Sequence, residues 1–157
     1  MKHMRNAFSL KILNDIQFTN SRLAKIGLIQ SDPCTFCNIG VETIDHLFFH
    51  CFYPRAFWEE FESYWFAVAK EQRKLELKPI LLGVTDTKCP LFNYLIVLGE
   101  LYLWNCRRKK SIPFFSSYKE LDKRKYVIKC HIAVKNNNSK MLEAKWKPVR
   151  HYNSLGI

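Results

Sequence analysis

Glycine is scarce in this 157-residue chain. There are five, too few and too scattered to build a phosphate-cradling loop. No G-x-S-x-G elbow occurs, so the nucleophile turn of an α/β-hydrolase is absent. Long apolar runs are missing as well. The best candidate, LFNYLIVLGELYLW over residues 91–104, is broken by Asn93, Gly99 and Glu100, and a spanning helix needs about 18 or more apolar residues. It reads as a buried core helix, and no membrane partner is expected. The opening MKHMRNAFSLKIL holds bases but no apolar core of about 7–15 residues, so no secretory signal is expected. An intracellular location, nucleus or cytoplasm, keeps thiols reduced, and six cysteines there argue for metal before disulfides. Strand-like alternation and internal repeats are also missing, which makes the expected fold mainly α.

Acidic residues are nearly lacking from one region. Residues 106–157 carry fourteen Lys and Arg against three Asp and Glu, a balance of +11. Residues 1–53 balance at +1 and 54–105 at −1, so the last third supplies the whole excess. A positive block of this size implies an anionic partner. The hydrophobic fraction of 48%, with twelve Phe and four Trp, is enough for a core packed by large rings.

The apolar residues recur at helical spacing. Residues 7–16 are loosely helical. Thr19 or Asn20 caps a short helix through Leu23 and Ile26, with Gly27 at its C-terminal stop. Pro54 suits a first turn, and Phe57, Trp58, Phe61, Tyr64, Trp65 and Val68 make one face of an amphipathic helix. Pro79 and Gly83 punctuate an apolar connection. Pro90 opens the buried helix, which ends in Arg107, Arg108, Lys109 and Lys110. Ser117 and Glu120 have capping-box spacing, and Leu121, Ile128 and Ile132 are expected on the inner side of the helix that follows. Asn136, Asn137 and Asn138 end it. A last helix holds Leu142 and Trp146 and stops at Pro148.

One stretch carries chemistry. SDPCTFCNIGVETIDHLFFHC, residues 31–51, concentrates three cysteines and two histidines. Cys34-x2-Cys37 grips an ion from a tight turn, and a second pair farther on closes a tetrahedron. Four protein ligands leave no place for water, so such a site is structural, and thiolates suit zinc. The weaker alternatives are plain buried cysteines and a redox C-x-x-C pair, around which no βαβ pattern occurs. Glu42 to Phe49 reads as a short helix with Ile44, Leu47 and Phe48 inward and His46 projecting. Glu42 and Asp45 are placed to orient the imidazole. Spacing leaves the fourth ligand open. His50 is i+4 from His46, whereas Cys51 is i+5 and needs the helix to loosen.

CTFCNIGVETIDHLFFHCFYPRAFW resembles the zinc-binding module that follows the polymerase in reverse transcriptases of non-LTR (LINE-type) retrotransposons. The shared pattern is C-x2-C, then E-T-x-x-H-L-F-x-x-C, then an aromatic helix with F-W, carried here by Glu42, Thr43, His46, Leu47, Phe48, Cys51, Phe57 and Trp58. The resemblance implies Cys51 as fourth ligand beside Cys34, Cys37 and His46, with one structural zinc. The expected division of the chain is a helical lead-in at 1–30, a zinc module with three cysteine ligands and one histidine at 31–54, packing helices at 55–113 and a basic helical tail at 114–157. The chain holds no Asp-Asp pair of the kind a polymerase uses, so it resembles only the family's C-terminal segment, and an enzyme is not expected. The implied function is holding element RNA or target DNA. Arg107, Arg108, Lys109, Lys110, Lys123, Arg124, Lys125 and Lys129 would neutralise phosphates, while Tyr118, Tyr126 or Trp146 would stack on unpaired bases. The alternatives are a module that docks on a reverse-transcriptase polymerase domain and a truncated retroelement remnant. No small-molecule substrate is expected.

Overall fold

The computed structural model describes residues 17–82 and 90–146. The expected helix over 7–16 and the stop at Pro148 lie outside them. The described chain is helical, with one antiparallel bridge, Pro33 to Val41, in place of any strand. Helix α1 spans Asn20–Lys25 and α2 Phe52–Ala69; between them a wide turn covers His46–His50. Then follow α3 (Leu77–Leu82), α4 (Pro90–Lys109), α5 (Phe115–Lys135) and α6 (Ser139–Trp146). Among the described residues no helix is long and apolar enough to cross a membrane.

Helix α1 begins after Thr19, and Gly27 follows its end at φ 75°. The aromatic face expected of α2 is its packed face: Phe57, Trp58, Phe61 and Trp65 are buried, with Tyr64 and Val68 half-buried. Helix α4 lies against it so closely that a Cβ on Gly99 would sit 2.7 Å from Trp58. Trp58 cannot retreat, since its Nε1–H donates to the Phe48 carbonyl at 2.7 Å. Phe57 meets Tyr118 edge-on at 5.2 Å and Phe115 at 5.6 Å, and Phe61 reaches both of those rings. Each such pair adds about 0.5–1.5 kcal/mol beyond the area it buries.

Three expectations change. The connection near Pro79 is helical, as α3, because a proline in a first turn forfeits no intrahelical hydrogen bond. Helix α5 starts two residues before Ser117, after Phe114, and no described side chain caps it. Phe115 is drawn into the ring cluster, and the Tyr102 hydroxyl holds both backbone groups of Phe114. Lastly, α5 turns Ile128 and Ile132 outward, at 53% and 54% exposure. Its inner face is Phe115, Tyr118, Asp122, Tyr126 and Ala133. Tyr118 offers more apolar area than an isoleucine, and its hydroxyl donates to the Leu95 carbonyl at 2.9 Å, so its burial leaves no polar group stranded.

Candidate functional site

The Cys34–Cys37 turn is closed by backbone bonds. Cys34 N–H donates to Gly40 C=O at 2.7 Å, Asn38 N–H to Cys34 C=O at 2.8 Å and Glu42 N–H to Asp32 C=O at 2.8 Å. Asn38 takes the left-handed conformation, φ 56°, that the reversal requires. Thr43 then starts the short helix, its Oγ1 accepting the His46 N–H at 3.1 Å. Ile44, Leu47 and Phe48 face inward as expected.

The helix loosens where the fourth ligand requires it. In an α-helix Cys51 would stand about 140° around the axis from His46. Here the Cys51 N–H reaches the His46 carbonyl at 2.9 Å, an i→i+5 bond that widens the turn. That brings Cys51 back to the side of His46. His50 is exposed, with its ring against Phe49.

The ligand atoms of Cys34, Cys37, His46 and Cys51 all lie within 4.8 Å of one another. Sulfurs around a tetrahedral zinc stand about 3.8 Å apart, so the four need only a small contraction. His46 Nε2 is 3.4 Å from Cys37 Sγ. The imidazole lies against Gly40, where a Cβ would come within 2.6 Å of its Cε1. Only glycine leaves that room. Burial raises the Cys34 thiol and pushes Cys51 up to about 12. Burial acts the same way on Cys37, but the Gly40 and Ile39 N–H groups, with His46 and Cys34, outweigh it and bring that thiol down to about 6. Three sulfurs and one imidazole, with a cradle shaped to the ring, fit zinc in a closed and structural role.

Glu42 does not orient His46, and Asp45 is exposed. Fully buried, Glu42 instead accepts Asn20 N–H at 2.9 Å, Thr35 N–H at 2.7 Å, and Arg107 through Nε at 3.0 Å and an NH2 group at 2.8 Å. Arg107 also donates to Asn20 Oδ1 at 3.0 Å and stacks 4.7 Å over Trp104. One carboxylate therefore ties α1, the metal-binding turn and the end of α4 together. Spacing could not show this, because the partner lies 65 residues away.

Two of the eight expected phosphate ligands need correction. Arg107 is an internal ion-pair partner, its side chain only 13% exposed. Lys129 turns inward, its Nζ 3.2 Å from the centroid of Tyr94 and 5.7 Å from that of Trp146. Burial, helped by Lys145, lowers its amine to about 7. Arg108, Lys109, Lys110, Arg124 and Lys125 are exposed, and Lys123 is half-buried, paired with Glu120 at 3.0 Å. The rings expected to stack on bases are all core: Tyr118, Tyr126 and Trp146 are buried.

These features define a helical scaffold built around a closed zinc site of three cysteines and one histidine. Residues 2–58 match the protein-family model described as zinc-binding in reverse transcriptase, a span that contains all four ligands. That segment is similar to the zinc-binding module of reverse transcriptases, and the match takes in about a third of the chain. No curated protein and no solved structure matches the chain.

Proposed function

We propose that the chain is a nucleic-acid-holding module of a retroelement reverse transcriptase, binding element RNA or target DNA without polymerase chemistry of its own. The observation that carries this is the solvent-facing basic surface. Arg108, Lys109 and Lys110 leave the end of α4 exposed, and Arg124 and Lys125 do the same on α5. The zinc site supports the reading by what it can do. With four protein ligands it has no position for a reacting water, so it organises structure. The Glu42–Arg107 pair sets the basic run directly beside the segment that zinc orders. A second reading, docking on a polymerase domain, is favoured by the outward Ile128 and Ile132 on α5.

Titration of the zinc-loaded chain with an oligonucleotide, and separately with anionic vesicles, at several salt concentrations tests the proposal. Four or five phosphate contacts give a slope of log K against log salt of about −3. The triple variant R108S/K109S/K110S is expected to flatten that slope by about two, with zinc content unchanged. Absence of oligonucleotide binding at low salt defeats the proposal and leaves docking as the better account.

A further inference from the structure

We infer that Phe114 is a stacking platform for an unpaired base, and that the cleft at the start of α5 receives the adjoining phosphate. The inference rests on the nucleic-acid reading above and narrows it to a single strand and a particular subsite.

The starting point is the burial of the three rings that spacing put forward. Within the described residues 106–146, Phe114 is the one Phe, Tyr or Trp side chain that is exposed, at 61%. Its backbone is held firmly. The Tyr102 hydroxyl donates to the Phe114 carbonyl at 2.9 Å and accepts the Phe114 N–H at 3.1 Å. Pro113 before it is buried, and Phe115 after it is fixed among Phe57, Phe61 and Tyr64. The ring therefore projects into water from a clamped segment. A partner that covers it loses little free energy to ordering the backbone beneath.

The surroundings are cationic. Lys110 lies four residues earlier, a reach of at most about 14 Å, in the exposed run with Arg108 and Lys109. Farther along the chain, Lys119 and Lys123 line a cleft of about 480 Å³ with Ser116, Ser117, Glu120 and Tyr64. Glu120 is taken up by Lys123, so the cleft keeps a positive balance. An exposed aromatic face that follows one run of cations in sequence and precedes the cleft lysines suits a nucleotide strand whose bases are unpaired. Stacking engages the face of any base, and the lysines engage its backbone. In an intact duplex those faces are occupied by neighbouring bases. The expected ligand is thus single-stranded, with little dependence on sequence.

The test uses the full zinc-loaded chain, a short fluorescent single strand and the duplex of the same sequence. Phe114→Ala is expected to weaken single-strand binding about tenfold, leaving the duplex nearly unaffected. Its salt slope should match that of the unaltered chain, since no charge is lost. Zinc content and thermal midpoint should also match, because the side chain is exposed. Phe114→Trp should restore the affinity, and its emission should fall as strand is added. Lys119→Ser with Lys123→Ser should instead flatten the slope by about 0.7 for each phosphate contact removed. A Phe114→Ala chain that binds single strand as well as the unaltered protein overturns the inference and leaves the basic-surface reading standing. A loss equal for strand and duplex also overturns it. An unaltered chain that binds neither refutes the underlying proposal as well.

Discussion

Glu100 lies in the middle of α4 at 1% exposure, and its Oε1 has no hydrogen-bond partner among the described residues. Burial pushes its carboxyl from an ordinary 4.5 up to about 9. At neutral pH the folded protein therefore holds a proton there that the unfolded chain releases. Because the folded value lies above the unfolded one, this group's contribution is complete below about pH 4.5 and is lost as the pH rises towards 9. The expected slope is about −1.4 kcal/mol of stability per pH unit, or about 3 kcal/mol between pH 6 and 8. Glu100→Gln keeps the shape and removes the titration. Urea unfolding of both proteins at pH 6, 7 and 8, under saturating zinc, measures the difference between them. That subtraction cancels Lys129, whose lowered amine opposes the trend above about pH 7 in both chains. The unaltered chain should lose ground to the variant by about 3 kcal/mol across the window. Parallel profiles would mean that Glu100 is ionised when folded, and the reasoning from burial would fail.

Gly40→Ala places a methyl within 2.6 Å of the His46 ring, so zinc affinity should fall about tenfold or more, measured by competition with a chromophoric chelator. Unchanged affinity would show that the ring does not lie on Gly40 when metal is bound. Arg107→Met leaves the Glu42 carboxylate buried without its cation, and should cost about 3–5 kcal/mol in urea unfolding. The same variant should weaken zinc about tenfold, because the Thr35 N–H between two ligands hangs on that carboxylate. A variant equal to the unaltered chain in both measurements would show that the ion pair holds nothing.

The sequence was most informative where the signal was local. The Cys34–Cys37 turn, the inward Ile44, Leu47 and Phe48, and the ring-bearing face of α2 all follow from spacing within a few residues. The choice between His50 and Cys51 did not, because periodicity assumes a regular helix and the turn at His46–His50 is wider. Helix α5 misled for another reason. Apolar counting favours Ile128 and Ile132, yet the tyrosines bury more surface and Tyr118 satisfies its hydroxyl on Leu95. Arg107 and Lys129 looked like their basic neighbours. What separates them, Glu42 for one and Tyr94 for the other, lies on distant elements.

The Glu42–Arg107 pair also means that the recognisable motif and the contacts that complete it end at different places. The family match stops at residue 58, while the cation that neutralises the motif's buried acid arrives at 107. A fragment cut at the end of the match keeps every ligand and loses that counter-charge. Its carboxylate is left without the cation that faces it, loosening Thr35 and Asn20 together. Metal affinities measured on such a fragment would describe a weaker site than the one the longer chain carries. A fragment that keeps the Glu42–Arg107 pair must extend at least through α4.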